Sequence, residues 1–401
     1  MVDVPGRFPS VPALGPVAYD LFDVHDDPYP TFARMRAEDP AYWNESRDLW
    51  MLTRFNDVQA AARTWKTFSS RKGVVLDDES DFYAPGGFVD QDPPSHDRLR
   101  KVVTSYFSPK ATEILAGYVR NRTRALLEPL RAVGVLDVVS DIARPLPTDV
   151  VSMILGVPAE DHELVSSWFV GMLERIPGQV DAPPSAWSAN RAMRSYMTEL
   201  IGERSKRPKD DLATVLVGAR RARQLTHAEA VGMCVFMFYA GIITTAGLIG
   251  NSILNLLNFP DQLDAMRCDG RRMPTAVEEL LRYDAPIQSL RRVLLEPETI
   301  HGKLIPAGAD LLLVWGAANR DDRRWPEPDT IDISRPAQRH LAFGEGIHHC
   351  LGAPLARLEA AVVFEELLAM MPRYELAGPV VRLHTPHERG LRSLPVAFEA
   401  K

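Results

Sequence analysis

Residues 343–352 read Phe343-Gly344-Glu345-Gly346-Ile347-His348-His349-Cys350-Leu351-Gly352, and Leu351, Leu355, Leu358 and Val362 then recur at helical spacing. Pro354 falls at the start of that pattern, where a missing N–H costs least. The stretch predicts a glycine-rich loop that delivers Cys350 to a helix N-terminus, where the positive end of the helix dipole favours a thiolate. Gly344, Gly346 and Gly352 would let the backbone approach a flat, bulky object. Three readings fit a cysteine so placed. One is a structural thiol beside a turn. Another is zinc held by His348, His349 and Cys350, although adjacent residues rarely converge on one metal and no second ligand pair has zinc spacing. The third is an axial thiolate to haem iron.

The rest of the chain narrows the setting. With 46% hydrophobic and 25% charged residues over 401 positions, the composition is that of an ordinary globular protein and excludes disorder as the main state. A formal charge of −7 leaves no global basic footprint, which argues against nucleic acid as a partner. The three cysteines, Cys234, Cys268 and Cys350, form no C-x-x-C pair. Their odd number argues against a zinc ribbon or a secreted disulfide framework and suits a reducing cytoplasm. Met1 to Asp20 holds one arginine and several prolines without an apolar run, unlike a signal peptide. Val231 to Pro260 carries no charge and is long enough to span a membrane. It also holds Thr244, Thr245, Asn251, Ser252 and Asn255, so the expectation is a buried core helix and no membrane.

Helical periodicity dominates, as in Thr112–Arg131 and Ala186–Arg204, while strand-like runs are few and short: Trp50–Thr53, Arg292–Leu295 and Asp310–Val314. The expected fold is mainly α with a small β-sheet region, in a single domain over 1–401, since no linker divides the chain. Two irregular segments, Arg71–Ser95 and Ile176–Ser185, are long enough to be binding loops or lids.

The spacing Phe-x-x-Gly-x-His-x-Cys-x-Gly, filled by Phe343, Gly346, His348, Cys350 and Gly352, resembles the haem-binding loop of the cytochrome P-450 family. The resemblance implies the P-450 fold, with haem b between a long distal helix and a proximal cysteine loop and helix. It implies Cys350 as the metal ligand. Glu279 and Arg282, one helical turn apart, would ordinarily be a solvated pair. They resemble the family's Glu-x-x-Arg element, which braces the core near the haem. Asp92-Pro93-Pro94 followed by His96 and Arg100 resembles the element that grips the haem propionates, and a helix begun after Pro94 would put His96 and Arg100 on one face. Arg292 and His348 resemble the third and fourth propionate partners. Asn319-Arg320-Asp321, then Trp325, Pro326 and Pro328, looks like the family's segment before the cysteine loop.

The uncharged run resembles the family's distal helix at Ala240-Gly241-Ile242-Ile243-Thr244-Thr245. By that likeness Gly241 leaves room for dioxygen and substrate, and Thr244 offers a hydroxyl. Unaided, a mid-helix threonine bonds its own backbone carbonyl four residues back. Ile243 departs from the pattern, which has Asp or Glu there. Isoleucine cannot relay a proton, so altered or substrate-assisted protonation is expected.

Family topology places Phe82, Tyr83, Phe88, Trp168, Phe169, Met237, Ala240, Ile287, Gln288, Leu290 and Leu391 to Ser393 around the substrate. An apolar pocket with a few polar groups suits a small aromatic, terpenoid or cyclic natural product. The implied activity is hydroxylation or O-dealkylation with dioxygen. Electrons would come singly from a ferredoxin or flavodoxin-type donor, since the chain has no flavin or nicotinamide motif, with Arg339 and Arg357 as candidates for the docking face. Oxidative coupling or ring closure without oxygen insertion is the alternative enzyme. A non-catalytic haem sensor or carrier is the alternative of another class.

Overall fold

A capping box opens the longest helix: the Thr226 hydroxyl accepts the Glu229 N–H at 3.1 Å, and the Glu229 carboxylate accepts the Thr226 N–H at 2.7 Å. From there His227–Leu256 runs for 30 residues without a further charge, a length of about 45 Å. A helix apolar on every side must be covered on every side. This one packs against helices Pro145–Leu155, Pro184–Lys206 and Ala353–Met370. It is the one helix among the described residues long and apolar enough to cross a membrane, and 78% of its apolar window is buried inside the protein.

The computed structural model describes residues 26–77, 81–176, 179–336 and 338–400. The N-terminal stretch 1–20, together with 78–80 and 177–178 of the two irregular segments, lies outside the described residues.

The fold is mainly helical with a small sheet region. The predicted Ala186–Arg204 helix begins earlier, at Pro184, because proline suits a first turn. The predicted Thr112–Arg131 helix is instead two pieces, Pro109–Ile114 and Ala116–Leu127, followed by a tight turn at Glu128–Leu130. Ser108 starts it by accepting the Ala111 N–H at 3.3 Å, and Pro129, which has no N–H to give, ends it.

The three strand-like runs meet in one five-stranded sheet, ordered Ala41–Asn44, Leu49–Leu52, Asp310–Leu313, Leu290–Leu294, Phe68–Ser69. Leu49–Leu52 runs parallel to Asp310–Leu313, which pairs antiparallel with Leu290–Leu294 in a register that sets Arg292 opposite Leu311. Phe55, Leu311, Trp315 and Trp325 build a second core beside this sheet, distinct from the helical one.

Helix Met273–Tyr283 joins the helical core to the cysteine loop. Arg282 meets Glu279 in a two-pronged pair, both bonds 2.8 Å, and the residues are 1% and 5% exposed. The same guanidinium donates to the carbonyls of Asn319, Pro328 and Thr330 at 3.1, 2.8 and 2.8 Å. Arg335 adds a further bond to Glu279 at 3.2 Å. Asn319 then accepts the Leu341 N–H at 2.7 Å, and Asp321 accepts that of Phe55 at 2.9 Å. A buried carboxylate and guanidinium are thus fully matched, and the segment before the cysteine loop is hung on them.

Candidate haem and substrate site

The cysteine loop turns on two left-handed glycines, Gly344 at φ 68° and Gly346 at φ 71°. A side chain at Gly346 would also meet the Ala62 carbonyl at 2.6 Å, so glycine lets the loop lie against helix Phe55–Arg63. The Cys350 N–H donates to Phe343 O at 2.8 Å and closes the loop. Helix Ala353–Met370 follows, with Pro354 in its first turn. Burial pushes the Cys350 thiol upward, while the N–H groups of Gly352 and Ala353, with Arg100 and Arg357, pull it down. The net direction is upward, and a metal cation at the sulfur would favour the thiolate. At Gly352 a Cβ would come within 4.0 Å of the Cys350 sulfur, and the glycine keeps that side of it open. Phe343 lies under the Arg357 guanidinium at 4.4 Å.

Around the rim, helix Ser95–Val103 carries His96 and Arg100 one turn apart. The His96 and His348 rings meet edge to face at 4.7 Å. Arg100 donates to the His349 carbonyl at 2.7 Å. Arg292 is 2% exposed and gives a bond to the Arg291 carbonyl at 2.7 Å; burial, partly opposed by Asp92 and Asp90, draws it down to about 10. Burial, with Arg292, His96 and Arg100 nearby, draws His348 down to about 2, so its imidazole is neutral. The His96 Nε2 and His348 Nδ1 atoms are buried without a hydrogen-bond partner. Two guanidiniums thus converge with two imidazoles that each keep a buried nitrogen unpartnered. A group bearing two carboxylates, as haem does, fits that demand.

A cavity of about 250 Å³ lies between this cradle and the long helix. Cys350, Phe343, Gly352, Leu355 and Glu359 line it on the proximal side, and Met237, Ala240, Gly241, Ile243 and Thr244 on the other. The Thr244 hydroxyl donates to the Ala240 carbonyl at 2.8 Å. A Cβ at Gly241 would stand 2.7 Å from Val151 Cγ2, so the glycine admits the neighbouring helix as well as opening the cavity.

Of the substrate candidates, Met237, Ala240, Leu290, Ile287, Tyr83 and Phe88 line the cavity. Phe82, Trp168, Phe169, Gln288 and Leu391 are not among its lining residues. Phe82 packs edge-on against Trp187 at 4.7 Å, and Trp168 against Tyr196 at 5.8 Å. The Gln288 amide turns away to the Ala285 carbonyl at 2.7 Å and the Tyr29 hydroxyl at 3.3 Å. Leu391 fills the space over Gly250, where a Cβ would be 3.5 Å from its Cδ1. The loop before Leu391 reaches the cavity instead, with His387 and Glu388. Tyr239, Val74 and Phe236 line the cavity as well. Tyr239 had a signal, since it lies in the uncharged run beside Ala240; Glu388 had none, for its carboxylate belongs to an irregular segment. Arg339 is paired with Glu345 at 2.9 Å and Arg357 with Glu278 at 2.6 Å.

Residues 186–377 match the family model for cytochrome P-450. The chain is 35% identical to the cytochrome P-450 monooxygenase PikC of Streptomyces venezuelae, over 97% of this chain and 95% of that one. It is also 35% identical to the biotin biosynthesis cytochrome P-450 of Bacillus subtilis, over 93% and 96%. Its fold is similar to that of the bacillaene polyketide synthase cytochrome P-450 PksS of Bacillus subtilis, with a TM-score of 0.87 and 32% identity over 95% of this chain and 100% of that one. With a cysteine loop, a propionate-compatible cradle and full-length likeness all in agreement, this chain belongs to the cytochrome P-450 family and is a haem b monooxygenase.

Proposed function

We propose that Cys350 is the axial ligand, that His96, Arg100, Arg292 and His348 hold the propionates, and that the enzyme hydroxylates or O-dealkylates a small, largely apolar natural-product intermediate. The observation that carries this reading is one cavity with a thiol below, orphaned imidazole nitrogens at the rim and a helix of Met237, Ala240 and Gly241 above. Two of the similar proteins are named for biotin biosynthesis and for a polyketide synthase, which favours a biosynthetic intermediate.

Haem, when bound, supplies the dioxygen-activating chemistry. The chain's own contribution is positioning and exclusion of water. The apolar wall of Val74, Phe88, Phe236, Met237 and Leu290 desolvates the substrate and holds its hydrocarbon against the proximal group. Thr244 keeps two lone pairs open to a donor while its hydrogen is engaged by Ala240. Ile243 provides no proton to it, so protons reach Thr244 by water or from a polar group of the substrate. Electrons come from a separate protein, of ferredoxin or flavodoxin type, and the reducing cytoplasm is the compartment that suits three unpaired thiols.

The test is the spectrum of the reduced, carbon monoxide-bound protein, followed by turnover in isotopically labelled dioxygen. A red-shifted thiolate-type Soret band that Cys350→Ser abolishes, and one labelled oxygen atom in the product, are the expected results. No Soret band after haem is supplied overturns the ligand assignment. A product without label transfers the assignment to oxidative coupling or ring closure.

A further inference from the structure

On the substrate side, the cavity wall is hydrocarbon apart from a few hydroxyls and one ionic group. The segment between strands Val381–Arg382 and Leu391–Ser393 brings His387 and Glu388 into the wall, opposite Tyr239 of the long helix. The backbone there is pinned on both flanks. Gln288 donates its N–H to His387 O at 2.7 Å, and Arg389 donates its own to Pro286 O at 2.6 Å. Asn251 of the long helix holds the Arg389 carbonyl at 2.8 Å. The carboxylate is therefore carried by a rigid loop.

Its two oxygens are treated unequally. Oε1 lies 3.1 Å from His387 Nε2 and 3.4 Å from the Tyr239 hydroxyl. Oε2 is buried with no protein donor. Burial alone would push this carboxyl upward, but His387, Thr385 and Arg175 together hold it below the ordinary range. Arg175, whose charge reaches Glu388, is itself joined to Asp77 at 3.2 Å. An ionised carboxylate buried with acceptor capacity to spare is costly in a wall that otherwise needs only hydrocarbon. The donor that Oε2 lacks is best supplied by an occupant of the cavity, and a charge-assisted donor suits an ionised carboxylate best.

Building on the monooxygenase reading, we infer that Glu388 anchors a substrate carrying a protonated nitrogen base, with Tyr239 and His387 orienting the carboxylate. The substrate would be amphiphilic: a hydrocarbon body against Phe236 and Met237, and a cationic end at Glu388. Glu388 thereby fixes which end of the substrate points away from Cys350, making it a specificity-determining residue.

Three probes of one shape test this by isothermal titration of the haem-loaded protein. They are adamantane-1-carboxamidine, which is protonated at neutral pH and so offers iron no lone pair, the neutral adamantane-1-carboxamide, and the anionic adamantane-1-carboxylate. The amidinium is expected to bind roughly tenfold or more tighter than the amide, as a charge-assisted pair does, and the carboxylate weakest. Glu388→Gln should erase that preference while leaving amide binding within about twofold. Tyr239→Phe should diminish the preference without abolishing it. Equal binding of amidinium and amide to the unaltered protein overturns the inference, as does amidinium affinity untouched by Glu388→Gln. Should Glu388→Gln fail to load haem, the amidinium-to-amide ratio in the unaltered protein decides alone. An intact Soret band without cation preference sinks this inference only, whereas no Soret band sinks the haem assignment beneath it.

Discussion

The Thr244 hydroxyl is tied to the Ala240 carbonyl at 2.8 Å, one turn back along the long helix, and Ile243 beside it is 3% exposed in the cavity wall. A hydroxyl whose hydrogen is already spent on its own helix needs an outside donor before it can pass a proton on. In Ile243→Asp that donor is put in place. The share of electrons recovered as product should rise a few-fold, and peroxide release should fall accordingly, a modest part of the ~100-fold that a positioned acid contributes to a full step. Product and peroxide counted per electron pair give the answer. Identical coupling in the parent and the variant removes the proposal of altered proton delivery.

Arg292 presents a cleaner separation of folding from cofactor retention. Its guanidinium is buried, drawn down to about 10, and bonded to a neighbouring backbone carbonyl, so without a carboxylate partner it is a burden on the fold. Arg292→Leu should leave the haem-free protein as stable or more stable in urea. The same variant should release haem roughly 10- to 100-fold more readily, the worth of one charge-assisted hydrogen bond. Haem transfer to an excess of apomyoglobin measures the second quantity. Unchanged transfer would exclude Arg292 from the propionate cradle.

Arg282 behaves in the opposite way. Its removal takes the two-pronged partner from the Glu279 carboxylate, 5% exposed, leaving it the longer bond from Arg335 at 3.2 Å, and frees three carbonyls of the segment before the cysteine loop. Arg282→Met is expected to cost ~3–5 kcal/mol of stability even without haem. The midpoint of urea unfolding reports it, and a loss below about 1 kcal/mol would mean that the pair is surface-like.

Glu359, on the proximal helix, is 1% exposed, and its Oε2 has no partner. Burial pushes its carboxyl from 4.5 up to about 8. Between those values the folded protein keeps a proton that the unfolded chain has released. The contribution is therefore full below about 4.5 and is lost as pH climbs through about 8, in total on the order of 5 kcal/mol. Glu359→Gln should abolish that part of the pH dependence, so unfolding free energies of parent and variant should diverge as pH rises across this window. Parallel curves would show that Glu359 titrates like an exposed acid.

Much of the fold and the proximal half of the site could be read along the chain. Cys350, Phe343, Gly346 and Gly352 sit within ten consecutive residues, and helical and extended periods are local properties of the backbone. His96 and Arg100 are one helical turn apart, and the uncharged stretch had to be buried somewhere. Those features depend on neighbours in sequence.

The substrate side was decided by tertiary structure. Phe82, Trp168, Gln288 and Leu391 have the right chemistry, yet packing against Trp187, Tyr196, Tyr29 and Gly250 turns each away from the cavity. Tyr239 and Glu388 are 149 residues apart and become partners only because Pro286, Gln288 and Asn251 hold the 383–390 loop under the long helix. Side-chain direction at such positions follows from which surfaces must exclude water together, and that competition is settled across the whole core rather than within any one segment. The sequence by itself determined the cysteine loop, the helical class and the bracing pair; the three-dimensional packing determined which side chains line the cavity.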